Sequence, residues 1–134
     1  MDNKKFTSLM LIDDNEIDNL INQKIIESCN ICNHIFMHTS AKSAVEFLRN
    51  VEKVEKWSKE MLPEIIFLDI DMPLMDGFQF LEEFNRLNSE TKKRCKIVML
   101  TSSNNEADIT RAQKSSYVAK YITKPLTEDN LMSL

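Results

Sequence analysis

Three short, unbroken apolar runs, at residues 9–12, 65–68 and 97–100, constrain this chain more than any other feature of its sequence. Four apolar residues in a row fit a strand buried on both faces, as in a parallel sheet covered by helices. The stretches between them carry helical periodicity. The first run ends in Asp13-Asp14-Asn15, which can cap a helix whose apolar stripe is Ile17, Leu20, Ile21 and Ile25. That helix should stop near Cys29-Asn30, and Ile35-Phe36-Met37 reads as a second strand. Thr39 or Ser40 caps the next helix, with Ala41, Ala44, Val45, Leu48 and Val51 inward. The pattern carries it on through Val54 and Trp57, with Glu52–Lys56 and Glu55–Lys59 paired outside, until Pro63 closes it. After the third run and a turn at residues 72–77, a helix places Phe78, Leu81, Phe84 and Leu87 inward. Residues 104–115 form a helix with only Ala107, Ile109 and Ala112 as anchors, which predicts the least firmly held element. A fifth strand at 117–123 and a short helix from Thr127 complete the chain. Strand and helix thus alternate five times, the signature of right-handed βαβ units with helices on both faces of a parallel sheet.

Composition removes several function classes. One glycine in 134 residues leaves neither GxGxxG nor GxxxxGK[ST] possible, so Rossmann dehydrogenases and P-loop NTPases are excluded. Asn is plentiful and is the next-best occupant of left-handed turn positions. A net charge of −4 without a basic block argues against nucleic-acid binding. No apolar run approaches the ~20 residues of a spanning helix, and none follows Lys4-Lys5 to make a secretory signal. Three cysteines, an odd number, read as reduced thiols of a cytoplasmic protein.

In an open parallel sheet, ligands bind outside the carboxyl ends of the strands. Those ends hold Asp13 and Asp14, Asp69, Thr101 and Lys124. Singly, each has an ordinary explanation as a cap, a turn residue or a solvated charge. Together they place three carboxylates, a hydroxyl and an ammonium at one edge. Clustered carboxylates repel unless a cation neutralises them, and hard oxygen ligands suit Mg²⁺. A lysine and a hydroxyl beside such a cation can hold a phosphoryl group, and a central aspartate can attack phosphorus.

Ile12-Asp13-Asp14-Asn15, Ile66-Phe67-Leu68-Asp69-Ile70-Asp71-Met72-Pro73-Leu74-Met75-Asp76-Gly77, Val98-Met99-Leu100-Thr101-Ser102 and Tyr121-Ile122-Thr123-Lys124-Pro125 together resemble the receiver domain of two-component response regulators, over essentially the whole chain. The resemblance implies an α/β, flavodoxin-like doubly wound sheet of five parallel strands, ordered 2-1-3-4-5, in one receiver domain spanning 1–134 without an effector domain. It implies that Asp69 is the phosphoacceptor. Asp14 would be a direct Mg²⁺ ligand, Asp13 one acting mostly through water, and Asp71 the donor of a backbone carbonyl. Thr101 and Lys124 match the switch hydroxyl and the phosphoryl-binding lysine, Tyr121 the aromatic switch, and Lys124-Pro125 a cis peptide. The phosphoryl group would come from a sensor histidine kinase or a histidine phosphotransfer protein. Output would pass to a protein target or a second copy through the fourth helix, fifth strand and fifth helix. Such a protein is a switch that catalyses only its own phosphorylation and dephosphorylation. Ser115-Ser116-Tyr117-Val118 departs from the family's frequent Gly-Ala-Asp, and the 50–63 segment is longer than usual.

Other readings fit less well. A haloacid-dehalogenase-type phosphatase also uses a strand-end DxD, but its fifth position should be Thr or Val and here is Pro73. A calcium loop starting at Asp69 would need Gly at Leu74 and Glu at Phe80. Cys29-Asn30-Ile31-Cys32 lacks a second ligand pair, and His34 and His38 lie roughly 13 Å apart on a strand. A degenerate receiver acting only by binding finds no support, because every chemical position is filled.

Overall fold

The computed structural model describes residues 4–54 and 61–134. In chain order it comprises β1 (Phe6–Ile12), α1 (Glu16–Cys29), β2 (Cys32–His38), α2 (Ala41–Glu52), β3 (Ile65–Leu68), α3 (Gly77–Asn85), α4 (Ser89–Arg94), β4 (Lys96–Thr101), α5 (Glu106–Gln113), β5 (Val118–Thr123) and α6 (Glu128–Met132). The strands form one sheet in the order β2-β1-β3-β4-β5, and every neighbouring pair is parallel. This is the doubly wound architecture expected from the alternation.

The period-2 geometry of strands divides the apolar runs between two cores. Leu9, Leu11, Ile65, Phe67, Val98 and Leu100 face one side, where Ile26 of α1 and Leu131 of α6 meet them. Met10, Ile12, Ile66, Leu68, Ile97 and Met99 face the other, against Ala44 and Leu48 of α2, Phe80 and Phe84 of α3, and Ala112 of α5. β3 is buried at every position, as its unbroken apolar sequence requires.

Local signals set the helix ends. Ser40, not Thr39, caps α2 by accepting from the Ser43 amide, and Asp76 and Gln79 close a capping box on α3. Asn30 ends α1 at φ 52°, the left-handed role expected of asparagine. Three expectations need correction. α2 stops at Glu52, and Val54 is exposed beyond it; Glu55, Lys56, Trp57 and Lys59 lie outside the described residues. The Glu52 carboxylate instead accepts from the Asn88 amide and the Thr91 hydroxyl, tying α2 to α4. α4 itself is unanticipated, a single polar turn capped by Asn88.

The third correction concerns α1. Its Ile17, Leu20 and Ile21 are 69%, 50% and 48% exposed. The buried positions are Asn19, Asn22 and Ile26. Asn19 donates to the carbonyls of Asp13 and His38, so a hydrogen bond to two strand ends fixes the rotation of the helix. Satisfying those buried carbonyls outweighs burying the isoleucines on this rotation.

Candidate functional site

Three chain crossings build the carboxyl edge. At the end of β1 the Asp13 amide donates to the His38 carbonyl (3.1 Å), and Asp13 Oδ1 accepts from the Asn15 amide (2.9 Å). At the end of β3 the Asp69 amide donates to the Ile12 carbonyl (3.0 Å), and Asp69 Oδ1 accepts from the Ile70 amide (2.8 Å). At the end of β5 the Lys124 amide donates to the Thr101 carbonyl (2.8 Å), and the Lys124–Pro125 peptide is cis. Backbone bonds therefore deliver the carboxylates and the ammonium to one place.

Carboxylate oxygens of Asp13, Asp14 and Asp69 all lie within 4.8 Å of one another. Asp13 and Asp69 are buried, and Asp14 is open to solvent. That spacing of hard oxygen donors, with one side exposed, fits a divalent cation that keeps part of its water shell. The Lys124 ammonium donates to Asp13 Oδ2 at 2.5 Å and to Asp18 Oδ2 at 2.9 Å, with Asp69 Oδ2 at 3.5 Å.

The electrostatics follow from burial and from these contacts. Burial pushes the Asp13 carboxyl above its ordinary range, and the nearby Asp69 charge adds to this; the Lys124 and Asn15 hydrogen bonds oppose it. Burial works against the Lys124 ammonium, but its bonds to Asp13 and Asp18 and the Asp69 charge outweigh that and hold it above the usual lysine range.

The remaining expected residues stand around this centre. Thr101 is fully buried, and its Oγ1 accepts from the Ser103 amide (3.4 Å). Tyr121 is half-buried, its hydroxyl donating to the Ser103 carbonyl (2.7 Å), and burial raises its pKa. Ser103 Oγ donates to Asp108 of α5, so the loop after β4 joins the tyrosine to that helix. Asp71 has an exposed side chain and does not belong to the carboxylate cluster. Sequence reasoning missed Asp18. Its signal was its place one helical turn beyond Asp14, on the α1 face turned toward the sheet edge.

The family model of the response regulator receiver domain matches residues 9–134. The chain belongs to that family. The chemotaxis protein CheY of Halobacterium salinarum is 29% identical over 124 residues, 92% of this chain and 89% of its own. Response regulator Rcp1 of Synechocystis sp. is 28% identical over 116 residues, 87% of this chain and 75% of its own. The structure of the Mn²⁺-bound form of Rcp1 matches with a TM-score of 0.70 at 25% identity, covering 95% of this chain and 87% of that one. A two-component response regulator from Cytophaga hutchinsonii matches with a TM-score of 0.85 at 31% identity, covering 97% and 94%. This receiver domain has the flavodoxin-like fold of those regulators, and an acidic pocket of the kind that holds a divalent metal.

Proposed function

We propose that this receiver domain takes a phosphoryl group onto Asp69 in the presence of Mg²⁺ and passes the signal on by changing a protein-binding surface. One observation carries the reading: three carboxylates converge at a sheet edge with a single ammonium bonded among them. The Asp69 carboxylate lies within reach of both the cation donors Asp13 and Asp14 and the Lys124 ammonium, 3.5 Å away, as an attacking carboxylate needs. The carboxylates of Asp13, Asp14 and Asp69 would hold the Mg²⁺, with the Asp71 carbonyl completing the set. When bound, the cation supplies positive charge against the phosphoryl oxygens. Lys124 binds the transferred group, and Thr101 moves toward it. The Tyr121–Ser103–Asp108 chain then carries the change to α5, β5 and α6, the counterparts of the family's fourth helix, fifth strand and fifth helix.

The phosphodonor would be a histidine kinase or a histidine phosphotransfer protein. The outward stripe of α1 suits its docking. Ile17, Leu20 and Met37 line a groove of about 500 Å³ with Glu16, Asn19 and Thr39, directly beside the Asp13–Asp14 end of β1. Isolated exposed apolar side chains are ordinary; four of them (with Ile21) on one helix and the adjoining edge strand form an interaction surface. No helix among the described residues is long and apolar enough to cross a membrane.

Incubation with acetyl phosphate tests the reading. Intact mass should show one added phosphoryl group with Mg²⁺, none after chelation, and none in Asp69→Asn. Phosphorylation of Asp69→Asn at the parent rate overturns the assignment.

A further inference from the structure

A lysine ammonium has three donors and no more. In this structure three carboxylates surround the Lys124 ammonium: Asp13 at 2.5 Å, Asp18 at 2.9 Å and Asp69 at 3.5 Å. The ordering of those distances matters. The residue that would carry the phosphoryl group has the longest contact, while α1, through Asp18, has one of the two short ones. Asp18 rides the first turn of α1, and α1 is locked in rotation by Asn19, the next residue, through its bonds to the ends of β1 and β2. Asp18 is therefore held in place and does not merely sample the lysine from a flexible loop. Its side chain is about one-third exposed and that of Lys124 is 13% exposed, so their contact is far less screened than an ordinary surface pair.

We propose that Asp18 is a positioning residue that competes with the phosphoryl group for the Lys124 ammonium and so biases the domain toward its unphosphorylated state. This rests on the reading of Asp69 as phosphoacceptor. A phosphoryl oxygen gains a full charge-assisted bond from Lys124 only when the ammonium turns away from α1, and the Asp18 carboxylate repels the incoming anion as well. Removing the carboxylate frees a donor and removes the competitor. The variant therefore binds a phosphoryl mimic more tightly than the parent does. A purely structural role for Asp18, as an acid in the first turn of a helix, predicts a loss of stability and no gain in binding.

Beryllofluoride binding to the full chain in excess Mg²⁺, followed by calorimetric titration, tests the competition. Asp18→Asn should lower Kd by about tenfold, the size of one hydrogen bond to a charged group. Asp18→Ser should shift it the same way, so a folding defect in either variant leaves the other to report. Glu27→Gln removes an exposed carboxylate from the far end of the same helix and should leave Kd within about twofold, as expected for a screened charge. A Kd in both Asp18 variants equal to or weaker than the parent's overturns the proposal, as does an equal gain from Glu27→Gln. If the parent itself fails to bind beryllofluoride, the phosphoacceptor reading falls and takes this inference with it. Parent binding without an Asp18 effect overturns the inference alone.

Discussion

A Cβ added at Gly77 would lie 2.6 Å from the Asp69 carbonyl oxygen and 2.9 Å from the Ile70 Cα, closer than real side-chain atoms come to backbone. The Gly77 amide donates to the Ile70 carbonyl (2.9 Å), so the start of α3 is pressed onto the strand end that carries Asp69. The chain spends its one glycine here, where backbone must touch backbone. Gly77→Ala should cost about 1–3 kcal/mol, as overpacking does, and slow phosphorylation of the folded fraction by shifting Asp69. Chemical denaturation and mass analysis read the two effects separately. Leu74 shows the opposite economy, a fully exposed leucine at φ 69° in the turn before α3. Leu74→Asn should stabilise by about 1 kcal/mol, because asparagine tolerates the left-handed region and no packing is lost. The positions of Asp13, Asp14, Asp69, Thr101 and Lys124 at one edge were legible because strand ends announce themselves in sequence. Asp18 was not, because its role depends on how α1 is rotated about its axis, which the two carbonyl-directed hydrogen bonds of Asn19 decide.

Among the elements, α1 shows why hydrophobic period alone misleads. Ile17, Leu20 and Ile21 have the spacing of a core stripe, yet the helix turns Asn19, Asn22 and Ile26 inward. Buried asparagine satisfies carbonyls at the sheet edge, and the isoleucines are left outward beside the site. Leu20→Glu should leave stability within about 0.5 kcal/mol, as surface changes do, and leave phosphorylation by acetyl phosphate unchanged. It should slow transfer from a phosphorylated histidine donor protein several-fold. Equal slowing with both donors would place Leu20 in the folding of the site and not in docking. α2 offers a test by pH. Burial lowers the His38 pKa below its ordinary 6.5, and its ring packs on Phe47 with Nδ1 beside the Ser43 hydroxyl (2.6 Å). The unfolded chain then binds a proton that the folded state resists, so stability falls as pH drops through about 6.5 and the loss is complete below the folded value. His38→Gln should flatten that part of the profile of melting temperature against pH. The thin anchoring of α5 was readable directly: Ala107 is exposed and only Ala112 is buried, with the Arg111 guanidinium over the Phe78 ring at 4.1 Å. The short α4 was hidden because a single turn capped by Asn88 and held by Glu52 has no apolar period to reveal it.

For the molecule as a whole, alternation of strands and helices determined the architecture, since short parallel connections leave few topologies open. What it could not provide was the side-chain pairing at the edge, which depends on where three separate crossings stop. The clustered carboxylates make cation binding and stability one quantity. Mg²⁺ at ~100 times its Kd should stabilise the domain by ~2.7 kcal/mol, and Asp14→Ala should remove most of that gain in a thermal melt. Amide exchange with beryllofluoride should change across residues 101–124, because Thr101, Ser103, Tyr121 and α5 form one connected path. Changes confined to residues 50–63 would move the output surface away from α5, β5 and α6. The central claim concerns one carboxylate, and borohydride reduction addresses it directly, since it converts an aspartyl phosphate to homoserine. After treatment with acetyl phosphate and Mg²⁺, reduction and peptide sequencing by mass spectrometry should find homoserine at position 69 and nowhere else. Homoserine at position 13, 14, 18 or 71 with aspartate retained at 69 would contradict the account.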